Sequence, residues 1–331
     1  MEFLLRESRE EDKVEMLLFG GEPLLRFDLM KELVPYGYRR AREEGKTLHF
    51  SMTTNGSLMN HENLRFLRDN NIKFLLSLDG DEEMHNTFRK YADGRGSWDD
   101  VAGKIQLMKS YQPWMGARVT PCPENVDRLF ESVKLLYWMG INQFIIGPAS
   151  GIFWEDEKID EYKLLMLDIG EFYVMKQKEK AYFRLTLFED DMESKPGSKR
   201  GIWGCGAGRG RISVSVDGEI QGCGKIQGMD DLKGFLPFGN VFDGFTDLEA
   251  RAKLIDPGFD KRVKCQKCDL QNDCAGGCPA VNWQMTGSIF VQHAVECKFT
   301  RAIMEVKEYI QRRMEEEGIG KKPEPVEVSA S

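Results

Sequence analysis

Short apolar runs alternate with amphipathic stretches along the first half of the chain. Five apolar runs predict strands, at residues 14–19, 48–53, 72–78, 114–120 and 142–146. Stretches with helical spacing lie between them, at residues 27–44, 60–69, 97–111 and 124–139. This βαβα order predicts an α/β fold with a parallel sheet and crossover helices. A doubly wound sheet and an incomplete barrel both fit, because periodicity alone does not separate them.

The second half differs from the first in its composition and in the lengths of its predicted elements. A long helix is expected at residues 160–180, and glycine becomes dense from residue 201. The alternating run 212–216, the Asp217-Gly218 pair and residues 219–222 predict a β-hairpin. A last helix has one apolar stripe, formed by Phe299, Ile303, Val306 and Ile310. The charged, proline-containing tail at residues 321–331 is expected to be disordered.

Composition narrows the class of protein. The 331 residues contain 41% hydrophobic residues, enough for roughly two domains. The net charge is −8 and the Lys and Arg residues are dispersed, which argues against a nucleic-acid partner. The apolar runs are too short to span a membrane, and the first residues do not resemble a signal peptide. We therefore expect no membrane partner and a reducing, cytoplasmic location.

Seven of the eight cysteines fall in the second half, and their spacing is the strongest chemical signal in the sequence. Cys205 and Cys223 come first, followed by the run Cys265-x2-Cys268-x5-Cys274-x3-Cys278 and then by Cys297. In a reducing compartment such clusters bind metal more often than they form disulfides. Four thiolates hold one iron–sulfur or zinc site, so seven suffice for two centres, one of them lacking a protein thiolate. An exogenous ligand is expected to bind there.

Glycine and small polar residues follow three of the predicted strands. The motifs are Gly20-Gly21-Glu22-Pro23, Thr53-Thr54-Asn55-Gly56 and Ser77-Leu78-Asp79-Gly80. Ligands of parallel α/β folds bind beyond the carboxyl ends of the strands. The three motifs therefore predict one ligand-binding mouth, where the first motif meets a charged amino group and the others meet ribose and carboxylate groups.

Taken together, these motifs and the seven-cysteine pattern resemble radical S-adenosylmethionine (SAM) enzymes with a SPASM domain. The resemblance extends from about Val14 to Cys297. It implies a partial (β/α)6 TIM-like barrel that lacks its first strand, followed by a small Cys-rich α+β SPASM domain. It divides the chain into a partial barrel (1–160), a bridging helix and linker (161–200), an auxiliary-cluster domain (201–297) and a C-terminal helix with a disordered tail (298–331).

The same resemblance assigns cofactors to residues. Gly20, Gly21, Glu22 and Pro23 would hold the methionyl amino group of SAM, Asn55 and Ser77 its carboxylate or ribose, and Arg118 its carboxylate. Two auxiliary [4Fe–4S] clusters are implied. The ligands of the distal cluster would be Cys265, Cys268, Cys274 and Cys297. The ligands of the nearer cluster would be Cys205, Cys223 and Cys278, with one iron open to a substrate thiolate.

The chain departs from the family pattern in one important respect. It has no Cys-x3-Cys-x2-Cys motif, and the single cysteine before Cys205 is Cys122. In the family this motif binds the [4Fe–4S] cluster that cleaves SAM. We therefore expect an N-terminally truncated enzyme that does not cleave SAM and would regain that cluster only with the missing segment.

The implied activity is maturation of a ribosomally made peptide or a protein, such as thioether formation at a cysteine. The implied partners are a precursor peptide or protein and an electron donor such as flavodoxin or ferredoxin. Sulfatase-maturating members have an aspartate after the second cysteine of the SPASM pattern, whereas Gly224 and Lys225 follow Cys223 here. The alternatives are an anaerobic sulfatase-maturating enzyme, a non-catalytic iron–sulfur or electron-transfer protein, and a zinc-stabilised interaction domain.

Overall fold

Six parallel strands form the main sheet, in the order in which they occur along the chain. The computed structural model describes residues 1–189, 205–227, 237–256 and 258–319. The strands are β1 (Lys13–Leu18), β2 (Thr47–Thr54), β3 (Lys73–Ser77), β4 (Gly116–Val119), β5 (Gln143–Ile146) and β6 (Arg184–Leu185). A doubly wound sheet reverses its strand order at a switch point, and this sheet does not. The predicted parallel α/β fold is therefore confirmed, and its order is not that of a doubly wound sheet.

Helices connect the strands. In the first half they are α1 (Glu2–Glu7), α2 (Phe27–Glu43), α3 (His61–Asp69), α4 (Glu82–Phe88), α5 (Trp98–Ala102), α6 (Ile105–Tyr111), α7 (Leu129–Trp138), α8 (Asp156–Lys178) and α9 (Thr186–Glu189). Three predicted bounds were wrong. The helix expected at 97–111 is broken between α5 and α6, the helix expected at 124–139 starts with a 3₁₀ turn at Val126–Arg128, and the long helix starts at Asp156 rather than at residue 160.

The two faces of the sheet have different environments. In a parallel sheet, paired residues point to the same side. One face is apolar and buried beneath helices, with Phe50, Met52, Leu76, Ala117 and Phe144 among its residues. The other face contains small and polar side chains that are partly accessible, including Ser51, Thr53, Ser77 and Arg118. This second, open face leads to the carboxyl ends of the strands.

Helix α8 packs in parallel against the last helix, α14 (Ala294–Glu316). Three ion pairs join residues that are 142 positions apart in each case: Asp156–Lys298, Lys163–Glu305 and Glu171–Arg313. A constant offset requires that both helices run in the same direction. Apolar residues of both helices, such as Tyr162, Met166, Phe299 and Val306, belong to the main core.

A four-stranded antiparallel sheet organises the described part of the second half. Its strands are β7 (Ser213–Val214), β8 (Glu219–Gln221), β9 (Gly239–Asn240) and β10 (Gly244–Phe245), in the order β10-β9-β8-β7. Four short helices follow or accompany it: α10 (Gly224–Gln227), α11 (Leu248–Ile255), α12 (Val263–Gln266) and α13 (Pro279–Thr286). The pairing of β7 with β8 confirms the predicted hairpin. Its turn is longer than a two-residue turn, because the N–H of Ser215 donates to the carbonyl of Glu219 at 3.0 Å.

A second apolar cluster underlies this sheet. It contains Ile220, Phe238, Leu254 and Ile289, together with Phe3 from α1. Phe3 also contacts the ring of Phe245 edge-on, at 5.4 Å between centroids. The first helix therefore contributes to the Cys-rich half. In the ranges described above, no helix is both long and apolar enough to cross a membrane, and the predicted disorder of residues 321–331 lies outside those ranges.

Candidate functional site

The turn after β1 exposes two glycines at the carboxyl edge of the sheet. Gly20 and Gly21 are exposed, and a side chain at either position would meet no atom within 4 Å. The carboxylate of Glu22 turns inward, where Oε1 accepts from the hydroxyl of Thr54 at 2.8 Å and Oε2 accepts from the N–H of Asn55 at 2.8 Å. Glu22 therefore joins the ends of β1 and β2, while the glycine backbone remains accessible to a ligand.

Asn55 stabilises its own turn. Its Oδ1 accepts from the N–H of Ser57 at 2.9 Å and from the hydroxyl of Ser57 at 2.7 Å. Thr54 Oγ1 accepts from the N–H of Gly56 at 3.0 Å. The side chain of Asn55 is thus engaged within the loop that the sequence assigned to ligand binding. Pro23 begins a 3₁₀ turn that Glu22 caps through the N–H of Leu24.

Ser77 and Arg118 are paired neighbours on the open face of the sheet. The guanidinium of Arg118 lies against Gly147, where an added Cβ would be 3.0 Å from Nη2. Burial lowers the pKa of Arg118, although an arginine remains charged at neutral pH. Within the described ranges, Arg118 makes no hydrogen bond from its side chain and no ion pair. A half-buried cation in this state is suited to an anionic ligand.

Asp79, a carboxylate that acts electrostatically on Arg118, already has a partner. Asp79 is buried, forms a two-point ion pair with Arg89, and accepts from the N–H of Thr120 at 2.8 Å. This pair joins the ends of β3 and β4. Sequence reasoning treated Asp79 as part of a ligand motif and missed its partner, because Arg89 follows ten residues later across a helix.

His85 follows the Ser77-Leu78-Asp79-Gly80 motif, and the sequence left open whether its side chain faces the ligand mouth or solvent. It is 1% exposed, and its Nδ1 accepts from the N–H of Asp79 at 3.3 Å. Its Nε2 therefore has the proton and donates to Ser97 Oγ at 2.9 Å. Burial lowers the pKa of His85 to about 4, with a smaller effect from the charge of Arg89. The imidazole is therefore neutral and buried rather than solvated, and both of its nitrogens make hydrogen bonds within the fold.

All eight cysteines are free thiols. Burial raises the pKa of Cys223, and the neighbouring thiols of Cys278 and Cys205 raise it further. Burial raises the pKa of Cys297 to about 11, and the thiols of Cys274, Cys265 and Cys268 add to this effect. By these electrostatic contacts, Cys205, Cys223 and Cys278 form one set, the three-thiol group, and Cys265, Cys268, Cys274 and Cys297 form another, the four-thiol group. Cys122 stands apart, since burial raises its pKa to about 11 through a different environment that includes Glu124.

No three His, Cys, Asp or Glu side chains of the described ranges lie close enough together to enclose a single metal ion. An iron–sulfur cluster is larger than one ion and holds its thiolates farther apart. Thiolates are the usual ligands of such clusters, and one group supplies four free thiols while the other supplies three. The residues present therefore fit two iron–sulfur clusters, one with four and one with three protein ligands.

Lys225 connects the three-thiol group to the main sheet. It follows Cys223 by two residues, and its ammonium donates to the hydroxyl of Ser150, beyond the end of β5. The same ammonium donates to the backbone carbonyl of Ser150 at 3.4 Å. The Cys-rich half therefore contacts the carboxyl edge of the sheet, on the side of β5.

Comparison with known proteins identifies related chains. The model of the Radical SAM superfamily matches residues 2–136. A cysteine-type anaerobic sulfatase-maturating enzyme of Clostridium perfringens is 32% identical over 276 residues, which are 78% of this chain and 72% of that enzyme. The radical SAM cyclopropyl synthase TigE of Paramaledivibacter caminithermalis is 21% identical over 310 residues, 92% of this chain and 62% of the synthase.

A solved structure has the same fold. It is native anSMEcpe with bound AdoMet and the Cp18Cys peptide, which matches with a TM-score of 0.76 and 19% identity over 95% of this chain and 89% of that chain. At this identity the likeness concerns the fold alone. This likeness agrees with the sequence matches, with the motifs at the strand ends and with the cysteine pattern. The chain belongs to the radical SAM superfamily, among the anaerobic sulfatase-maturating enzymes and related SPASM-type maturases.

Proposed function

We propose that this protein is a radical SAM/SPASM maturase whose substrate is a ribosomally made peptide or a protein. The observation that supports it best is that seven free cysteines interact as groups of three and four, and that the group of three contacts the carboxyl edge of a parallel sheet through Lys225. TigE and the sulfatase-maturating enzymes are named for modifying reactions, and one related structure contains a peptide.

The sheet is proposed to be a partial (β/α)6 TIM-like barrel, followed by a SPASM domain. The unreversed order of the strands and the open polar face support the barrel. The proposed division is 1–160 for the partial barrel, 161–200 for the bridge, 201–297 for the SPASM domain and 298–331 for the C-terminal helix and tail. The separate apolar cluster under the antiparallel sheet supports a distinct second domain.

SAM is proposed to bind along the carboxyl edge of the main sheet. The accessible backbone of Gly20 and Gly21 would receive its amino group, with Glu22 and Pro23 fixing the turn. Ser77 and Asn55 would contact the ribose or carboxylate, as in the family. Arg118 has the strongest support, because its guanidinium is half-buried and makes no bond with described residues that a carboxylate would have to replace.

Two auxiliary [4Fe–4S] clusters are proposed. Cys265, Cys268, Cys274 and Cys297 would hold the distal one, while Cys205, Cys223 and Cys278 would hold the nearer one and leave an iron for a substrate thiolate. In this family a further [4Fe–4S] cluster supplies the electron that cleaves SAM. Its three cysteine ligands do not occur in these 331 residues. We therefore propose that this polypeptide by itself binds SAM but does not cleave it.

The substrate class follows from the residues after Cys223. Gly224 and Lys225 replace the aspartate expected in a sulfatase maturase, which favours a peptide substrate and thioether chemistry at a cysteine. Sulfatase maturation is the second candidate, favoured by the 32% identity to the enzyme of C. perfringens. We further propose a cytoplasmic location and an electron donor such as flavodoxin or ferredoxin. No nucleic-acid or membrane partner is proposed.

The first experiment is anaerobic reconstitution with iron and sulfide, followed by metal analysis. We expect about eight irons per chain, from two clusters of four. Stoichiometric zinc without iron would support the zinc-stabilised interaction domain instead. Production of 5′-deoxyadenosine at enzymatic rates by this polypeptide alone would contradict the proposed lack of SAM cleavage.

The second experiment measures SAM binding by equilibrium dialysis. Arg118→Gln should weaken SAM binding about tenfold or more, because a charge-assisted hydrogen bond to the carboxylate is lost. Decarboxylated SAM should bind the wild type and this variant equally. The control is Arg68→Gln, at an exposed arginine paired with Asp69. Equal loss of both ligands would assign Arg118 a structural role and refute its contact with the carboxylate.

A further inference from the structure

Arg262 is a buried cation next to the four-thiol group. It is only 1% exposed, and arginine is rarely buried to this extent unless other groups satisfy it. It directly precedes α12, the short helix that contains Cys265. Its backbone carbonyl accepts from the N–H of Cys265 at 2.9 Å. The backbone of Arg262 therefore fixes the first ligand-bearing segment of this group.

The side chain of Arg262 reaches a second ligand-bearing segment. Its Nη1 donates to the carbonyl of Ala275 at 2.8 Å. An added Cβ at Gly276 would be 2.0 Å from Nη1, and the φ of +84° at this residue also favours glycine. The N–H of Gly276 in turn points at Cys274 Sγ, at 3.3 Å. One residue thus connects the segments that contain Cys265 and Cys274.

The charge of Arg262 acts on the thiols of the four-thiol group. Its guanidinium interacts electrostatically with Cys265 and Cys274, and its charge effect on Cys265 is larger than those of the neighbouring thiols. Arg301 pairs with Asp269 immediately beyond Cys268, so a carboxylate offsets the charge of that arginine. Arg262 is therefore a cation whose charge reaches ligands of this group directly.

We propose that Arg262 positions the four-thiol group and raises the reduction potential of the cluster that it holds. The proposal rests on the proposed function only in that these four cysteines bind an iron–sulfur cluster. Reduction adds one negative charge to the cluster, and a buried cation stabilises the reduced form more than the oxidised form. Net charge and hydrogen bonds to sulfur are known determinants of such potentials.

The test compares Arg262→Gln with Arg262→Lys. Both are made in a Cys223→Ala/Cys278→Ala background, so that the four-thiol cluster is the one observed. The matched control is Arg251→Gln, since Arg251 also donates to a carbonyl, of Gly208 at 3.1 Å, and stacks on Phe245. Redox titration followed by electron paramagnetic resonance gives the midpoint potential.

We expect Arg262→Gln to lower the equilibrium constant for one-electron reduction about tenfold, which is 59 mV. Arg262→Lys should stay within about twofold of the parent because it keeps the charge, and the control should not change. An unchanged potential in the Gln variant, or equal shifts in both variants, would overturn the electrostatic role.

A second measurement covers a Gln variant that fails to assemble the cluster. Bound iron per chain is measured after anaerobic reconstitution of the parent, Arg262→Gln, Arg262→Lys and Arg251→Gln. We expect about four irons in the parent and in Arg251→Gln, and about half as many or fewer in Arg262→Gln. Equal iron content in the parent and the Gln variant would overturn the positioning role. A parent that takes up no iron would instead refute the proposed cofactor, and the rates at which a thiol reagent modifies the four cysteines in the parent and in Arg262→Gln would still test Arg262, since equal rates would overturn its positioning role.

Discussion

The buried imidazole of His85 makes the stability of this protein depend on pH in a defined direction. Its pKa is lowered from 6.5 to about 4 in the folded chain, chiefly by burial. Between these two values the unfolded chain binds a proton that the folded chain excludes. The stabilisation is therefore fully present above about pH 6.5 and is lost as the pH falls toward 4.

The size of the effect follows from the two pKa values. A shift of this extent is worth about 3 kcal/mol when fully developed. Between about pH 7 and about pH 5, the linkage relation gives a loss of about 2 kcal/mol. The protonated imidazole would also lose its bond from the N–H of Asp79, because Nδ1 could no longer accept.

The assay is urea unfolding followed by circular dichroism at several pH values. The test variant is His85→Gln, which has no titrating group but keeps a donor and an acceptor. The control is His49→Gln, at an exposed position on β2. We expect the free energy of unfolding of the His85 variant to fall by about 2 kcal/mol less than that of the wild type over this range. Parallel pH profiles for the wild type and His85→Gln would refute the assignment of a neutral, buried imidazole.

Substitutions at three further contacts described above can be tested by urea unfolding. Asp79→Asn should destabilise the protein by about 3 kcal/mol because it leaves the charge of Arg89 without its partner; a loss below 1 kcal/mol would mean that the pair behaves as a surface pair. Glu22→Ala should cost about 1–3 kcal/mol because it removes the acceptor that joins two strand ends, whereas Glu22→Gln should cost less. Lys163→Glu and Glu305→Lys should each cost up to about 1 kcal/mol, and the double exchange should recover most of it; additive losses would contradict a direct pair.

Much of the main sheet was predictable because its strands are apolar runs flanked by turn residues. Strands β1 to β5 lie within the predicted runs or one residue outside them. β6 was missed, since two residues are too short to show a period. The break between α5 and α6, which contains Gly103, was missed because the predicted helix ran without interruption over residues 97–111.

The candidate site was less predictable from local sequence. The motifs after the strands identified residues at the carboxyl edge of the sheet, but the hydrogen bonds of Glu22 and Asp79 depend on partners from other elements. The grouping of the cysteines came from a family resemblance, since spacing alone does not determine which thiols share a centre. Arg262 gave no local signal at all, because its importance lies in a contact with a turn thirteen residues away.

The parallel arrangement of α8 and α14 constrains the order of folding. Their first ion pair joins residues 142 positions apart, so the chain must close a very long loop before the last helix can dock. The whole Cys-rich half lies within that loop. Cofactor assembly would fix the intervening chain and so reduce the entropy cost of closing the loop. Docking of α14 would in turn bring Cys297 to the other thiols. Loss of metal should therefore release the last helix first, where limited proteolysis would detect it.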